Sequence, residues 1–232
     1  MSKLLLIYNR IFRSGKIPQS FKNSILFPLF KKGYLNLVEN YRGLSFIDCV
    51  AKIFTSLINN RLTEWVNESQ ILTELQAGFR KGFSTMDNIF NLCSLVHLRL
   101  AIKKGKLFAF FVDFSAAFDT ICRKALIFKL ICLGVSSQVI NIVKQLYDGT
   151  KVGVWCKEGV TDSFETNMGL RQGCVLSPLL FSLFINDLVE FLGGGFIIGG
   201  KRINILLYAD DVVLLARTPA ELQHMINRLE EY

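Results

Sequence analysis

Residues 206–216 read LLYADDVVLLA, and residues 107–114 read LFAFFVDF. In the first stretch two aspartates, Asp210 and Asp211, interrupt apolar residues on both sides. In the second, a near-continuous apolar run ends in Asp113. The runs 203–208 and 212–216 read as strands around an Ala209-Asp210-Asp211 tip, a hairpin with its acids at the end. LFAFFVDF reads as a central strand with both faces covered. Unpaired carboxylates are costly in such surroundings. If the two strands are neighbours, three acids converge, and each pair about 4 Å apart repels by roughly 4 kcal/mol at an effective dielectric near 20. A divalent cation removes that penalty. Hard oxygen donors without His or Cys suit Mg²⁺ or Mn²⁺, and two such ions about 3.5–4 Å apart are a device for in-line phosphoryl or nucleotidyl transfer. The alternative for Asp210-Asp211 alone is plain turn chemistry, since Asp favours turns.

Working outward, the same half of the chain carries predicted helices over 124–133 and 138–147, each stopped by a glycine, Gly134 and Gly149. Strands are predicted over 150–156 and 163–167. A buried helix over 178–192 starts at Pro178, and the glycines of 193–200 read as a flexible connection. Thr218, Pro219 and Glu221 form a capping box before the last helix. The order from residue 106 is βααββαββα, an α+β layout. Upstream, 3–13 has helical spacing, 25–30 reads as a strand delivering Lys31 and Lys32 into a turn, and apolar residues recur at three and four from Ile47 to Trp65. Another helix is predicted over 87–102. The Lys103-Lys104-Gly105-Lys106 cluster is the candidate boundary between regions 1–105 and 106–232.

With 232 residues, 51% apolar and 20% charged, the chain is long and apolar enough for a large core, which excludes a disordered reading. The net charge of +8 is unevenly spread: residues 1–105 carry 15 Lys+Arg against 6 Asp+Glu, and residues 106–232 carry 12 against 13. A basic half suggests a phosphate-rich partner; a soluble basic surface is the alternative. The six cysteines form no C-x-x-C pair and there are two histidines, so neither a zinc site nor a disulfide framework is indicated. No apolar run approaches the roughly 18–20 residues that span a bilayer, so no membrane is expected as a partner. The run 4–8 is followed by Arg10 and Arg13 without a cleavage pattern, and the expected location is intracellular, nucleus or cytoplasm, not secreted.

FVDFSAAFD (111–119), GLRQGCVLSPLLFSLFINDL (169–188) and LLYADDVVLLA (206–216) resemble the A, B and C motifs of reverse transcriptases, in the form found in non-LTR (LINE-type) retrotransposons. PQSFKNSILFPLFKKG, ENYRGLSFIDCVAKIF and LQAGFRKGFSTMDNI resemble that family's finger segments, so the likeness covers nearly the whole chain. Ordered blocks at family-like spacing are specific where a YxDD box alone is weak.

The resemblance implies a right-hand polymerase with fingers (1–105) and palm (106–232), the palm an antiparallel sheet backed by helices in a ferredoxin-like arrangement, with thumb and endonuclease missing. It implies an RNA-directed DNA polymerase using two Mg²⁺ (or Mn²⁺) ions, an RNA template, a DNA primer and deoxynucleoside triphosphates. Asp113, Asp210 and Asp211 become the catalytic and metal-binding acids, Asp113 and Asp210 the main ligands with Asp211 beside them, and the Phe114 carbonyl completes a shell. Lys32 and Arg42 match positions that hold the triphosphate, with Arg80 in the same role or on the template. Phe118 matches the steric gate against a ribose 2′-hydroxyl, its alternative being a core Phe. Gln172 and Gly173 match the loop under the nascent base pair, and an ordinary loop is the alternative there. Asp119, Asn186 and Asp187 read as structural, and Ser177 as a cap. Gly43 and Val175 stand where prolines are frequent. A competing reading is a catalytically inactive nucleic-acid-binding remnant of the same fold.

Overall fold

A computed structural model describes residues 3–232. Its order begins α1 (Lys3–Ser14), α2 (Gln19–Lys22), β1 (Ser24–Phe30), β2 (Tyr41–Ile47), α3 (Cys49–Glu68), α4 (Thr85–Leu100), β3 (Phe108–Asp113), α5 (Arg123–Cys132) and α6 (Ser137–Tyr147). It continues β4 (Thr150–Cys156), β5 (Gly159–Val160), β6 (Phe164–Thr166), α7 (Ser177–Phe184), α8 (Leu188–Leu192), β7 (Phe196–Ile198), β8 (Lys201–Ile203), β9 (Ile205–Tyr208), β10 (Asp211–Ala216) and α9 (Pro219–Glu231). The chain divides into two compact units, residues up to 65 with 118–180, and 66–117 with 181–232. They are interleaved along the chain, and neither starts at the Lys103–Lys106 cluster. The first unit holds 17 Lys+Arg against 8 Asp+Glu and the second 10 against 11, so the charge asymmetry belongs to the units as well as to the halves.

The first unit is built on a sheet of order β2-β1-β4-β5, with β6 also on β4. β1 is antiparallel to β2 from Ser24↔Ile47 to Phe30↔Tyr41 and parallel to β4. Periodic apolar residues of α3 put Phe54 inward, where the rings of Tyr8 and Phe21 lie 5.5 and 6.1 Å away. α5 and α6 pack on each other and bury Leu126, Leu130, Ile142 and Leu146. Burial of four such side chains contributes on the order of 6–12 kcal/mol before entropy is counted.

The second unit is a three-stranded antiparallel sheet, β3-β10-β9, with α9 against β10 and β3 and α4 against β9. Two-residue alternation along β10 sends Val212, Leu214 and Ala216 to one face and Asp211, Val213 and Leu215 to the other. Leu215 joins Leu95 of α4, Leu206 and Phe196 in a core cluster.

Three expectations are corrected. LFAFFVDF forms the edge strand β3, not a covered central one, with Phe110 and Phe111 42% and 69% exposed. The central strand is β10, because an apolar run reports affinity for burial without saying which neighbours supply it. The glycines of 193–200 are not merely a connection: β7 and β8 pair through a Gly199-Gly200 turn whose residues both have left-handed φ. The helix over 178–192 is broken into α7 and α8. Between them, Asn186 donates from Nδ2 to the Ile71 carbonyl and accepts at Oδ1 from the Thr73 amide, both at 2.9 Å, tying the break to the 71–73 segment. Thr218 caps α9 as expected, accepting from the Glu221 amide. Glu221 in turn accepts from the Arg217 and Gly195 amides rather than from Thr218 itself.

Candidate active site

The carboxylates meet through strand register. β10 pairs with β3 so that Asp211 stands directly opposite Asp113, and β10 pairs with β9 so that Asp211 also stands opposite Tyr208. Directly opposed residues share a face, and like charges so placed destabilise the pair. Asp113 and Asp211 are exposed and Asp210 is half-buried. Among the described residues, none of the three carboxylates takes a hydrogen bond or ion pair from the protein. Asp113 and Asp211 share their face with Phe111, Val213 and Leu206, and a cleft of about 400 Å³ opens beside them, walled by Thr85, Asn88 and Ile89 of α4.

Among the described residues no group of three or more His, Cys, Asp or Glu is gathered as a metal cage. What the fold brings together is a pair, Asp113 with Asp211, and Asp210 adjoins it in the chain. A pair still fits Mg²⁺, which is commonly bound through one or two carboxylates and takes the rest of its shell from water and substrate phosphates. Two opposed anions without a protein countercharge are the donor set such an ion neutralises.

The hairpin loop is only Ala209 and Asp210 long. Two-residue loops of this kind need φ > 0 at their first position, which favours glycine, yet Ala209 takes φ +57°. The turn is supported from the 75–78 segment. Leu207 donates to the Leu75 carbonyl and Ala77 to the Leu207 carbonyl, both at 2.9 Å, and the buried Gln76 accepts at Oε1 from the Ala209 amide at 3.2 Å. Sequence reading missed Gln76; a polar residue between Leu75 and Ala77 is the only signal it leaves. Nearby, Arg80 spends both Nη1 protons on the Thr73 and Gln76 carbonyls and stacks over Phe83 at 4.1 Å. Burial lowers the Arg80 pKa, opposed by Glu74. Its Nη2 and Nε protons are not used in those bonds.

Of the remaining predicted residues, Phe114 follows β3 in the second unit, and the others lie in the first. Lys32 sits in the turn after β1, and Arg42 on β2 pairs in register with Leu29; both are exposed and, among the described residues, unpaired with any protein acceptor. Phe118 is half-buried, and its carbonyl accepts from the Leu170 amide at 2.7 Å. Gln172 donates from Nε2 to both carboxylate oxygens of Asp119, at 2.9 and 2.8 Å, and its carbonyl accepts from Ser45 of β2. Asp119 therefore orients Gln172, a pairing that spacing alone does not reveal. Gly173 has φ +114°, and a Cβ there would lie 2.6 Å from the Ser45 carbonyl, so its close approach is to β2. Ser177 is no surface nucleophile: it is buried and donates to the Arg171 carbonyl. A larger cleft of about 630 Å³ lies beside Arg123 and Tyr147, where Arg123 is spent on the carbonyls of Tyr147, Thr166 and Gly169.

Comparison with known proteins gives the same direction. Residues 29–232 match the family described as reverse transcriptase (RNA-dependent DNA polymerase). A probable RNA-directed DNA polymerase from transposon BS of Drosophila melanogaster is 30% identical over 213 residues, covering 91% of this chain and 23% of that protein. The RNA-directed DNA polymerase from mobile element jockey of Drosophila funebris is 28% identical over 231 residues, covering 99% and 25%. The chain thus spans about a quarter of the length of these relatives. Telomerase from Candida tropicalis in complex with a TWJ fragment of telomeric RNA superposes with a TM-score of 0.67 at 14% identity, covering 97% of this chain and 41% of that one. The apo Candida tropicalis telomerase truncated from its C-terminal domain gives 0.66 at 14%, covering 97% and 50%. At such identity the likeness concerns the fold, a polymerase fingers and palm arrangement. No helix of the described residues is long and apolar enough to cross a membrane. A palm sheet that opposes two aspartates across neighbouring strands, together with a family match over most of the sequence, means that the chain belongs to the reverse transcriptases.

Proposed function

We propose that this chain is the nucleotide-adding core of an RNA-directed DNA polymerase, extending a DNA 3′-hydroxyl with deoxynucleoside triphosphates on an RNA template. The observation that carries the reading is the register Asp113↔Asp211, with Asp210 one residue away in a two-residue loop. Asp113, Asp210, Asp211 and the Phe114 carbonyl would hold two Mg²⁺ or Mn²⁺ ions. Bound there, the ions supply activation of the attacking hydroxyl and charge neutralisation at the leaving phosphate.

The other residues bind and orient. Lys32 and Arg42, exposed and uncommitted, hold the triphosphate, Arg42 through a two-pronged guanidinium contact and Lys32 as a point charge. Phe118 fills the space that a ribose 2′-hydroxyl requires. Gln172, fixed by Asp119, presents its amide to the nascent base pair, and Gly173 keeps that loop close to β2. Arg80 offers its two uncommitted nitrogens to the template backbone. Chemistry then rests on positioning, with no covalent enzyme intermediate.

Primer extension on an RNA template with Mg²⁺ tests the reading. Wild-type chain is expected to add deoxynucleotides and Asp113→Asn to add none. Equal extension by both removes the carboxylate pair from the chemistry. Duplex binding without extension by the wild type favours an inactive nucleic-acid-binding remnant.

A further inference from the structure

Gln76 is 1% exposed, and half of its amide is wasted: Nε2 is buried without a hydrogen-bond partner. A buried, half-satisfied amide costs stability that a leucine or methionine of similar size would not. Its other atom does something no apolar side chain can. Oε1 accepts from the Gly78 amide at 2.8 Å and from the Ala209 amide at 3.2 Å. Because both partners are N–H donors, the atom between them is the carbonyl oxygen, which fixes the orientation of the amide.

The Ala209 amide belongs to the first residue of the two-residue loop, held at φ +57°. For a non-glycine residue that conformation costs about 1–3 kcal/mol and persists only where the surroundings enforce it. The surroundings here are the Gln76 oxygen and Gly78, where an added Cβ would collide with the Ala209 backbone. Asn88 adds a third tether, donating to the Leu207 carbonyl at 2.9 Å. Asp210 and Asp211 follow immediately, and Asp211 is the residue registered against Asp113.

We propose that Gln76 is a positioning residue: its side-chain oxygen locks the left-handed Ala209 turn and so sets the placement of Asp210 and Asp211 relative to Asp113. The catalytic part of this inference rests on the proposed function, whereas the locking of the turn does not.

Two readouts separate them. The first is amide hydrogen exchange of the 207–213 segment in the full chain, with α9 as internal reference. Gln76→Met keeps the volume and loses the acceptor; it is expected to speed exchange at Ala209 about tenfold or more while α9 is unchanged. Gln76→Glu keeps an acceptor for both amides and is expected to retain protection. Unchanged exchange in Gln76→Met overturns the proposal, and so does equal loss of protection in the turn and in α9, which would make Gln76 a general core residue. The second readout is primer extension. Gln76→Met is expected to lower kcat about 10²-fold, the scale on which a misplacement of about 1 Å acts, with little change in primer–template affinity and with recovery in Gln76→Glu. Full kcat in Gln76→Met overturns the positioning role. An inactive wild type would sink the polymerase reading and leave the exchange result to decide the turn.

Discussion

The two hairpins that carry the candidate chemistry are held very differently. In β9–β10 the loop is two residues long and a buried glutamine grips the turn. In β1–β2 the connection from Lys31 to Asn40 is long, and Lys32 and Arg42 are exposed without protein partners among the described residues. The difference matches the two kinds of task proposed for them. An anion pair that must meet an ion at fixed geometry needs its backbone immobilised, while cations that gather phosphates can search for them. The charge balance follows the same division, with the basic excess in the unit that carries Lys32 and Arg42 and a near-neutral balance in the unit that carries the aspartates.

That contrast can be broken by substitution. Asp211→Asn removes one of two opposed carboxylates and is expected to lower primer extension by about 10³-fold or more, measured as single-nucleotide incorporation; a drop below tenfold would mean that the register has no chemical meaning. Arg42→Ala should act on affinity, raising the KM for deoxynucleoside triphosphate about ten- to a hundredfold with a smaller effect on kcat. Arg42→Lys should recover part of it, because charge is kept and the planar fork is lost. An effect on kcat alone would move Arg42 out of the triphosphate role.

Phe118→Ala should relax sugar discrimination by about tenfold or more, read as the ratio of ribonucleotide to deoxynucleotide incorporation; an unchanged ratio makes Phe118 a packing residue. The smallest effect concerns α9. Burial tends to raise the Glu221 pKa, but the Arg217 side chain and the amides of Arg217 and Gly195 outweigh it and hold the pKa below its ordinary 4.5. A lowered folded-state pKa means that the contribution is present above 4.5 and is lost as pH falls through the folded value. Glu221→Gln should therefore cost about 1 kcal/mol at pH 7 and close to nothing in strong acid, by urea unfolding at both pH values.

Much of this was legible in the sequence, and the failures have physical causes. Hydrophobic period and glycine stops gave α1, α5, α6 and both strands of the acidic hairpin, because those signals are local. Phe110 and Phe111 misled, since the exposed apolar residues of an edge strand, here one on each face, read in sequence like those of a covered strand. The break at Asn186 was hidden because its partners, Ile71 and Thr73, lie more than a hundred residues away. Gln76 escaped for the same reason, its partner Ala209 lying 133 residues away, and Asp119, read as structural, gave no sign that Gln172 is what it holds: a positioning residue is defined by the atom it holds, and sequence shows only the residue. The aspartates were found because they interrupt apolar runs, although Asp113 and Asp211 are exposed at the strand ends rather than buried.

The central claim is that Asp113 and Asp211 share one cation across two strands. Manganese binding measured by electron paramagnetic resonance, with a chain-terminated primer–template and the next deoxynucleoside triphosphate present, tests it most directly. Wild type should bind Mn²⁺ tightly, and Asp113→Asn, Asp211→Asn and the double variant should all lose that ion to a similar degree, since each removes half of one site. Wild-type affinity in both single variants would contradict the account.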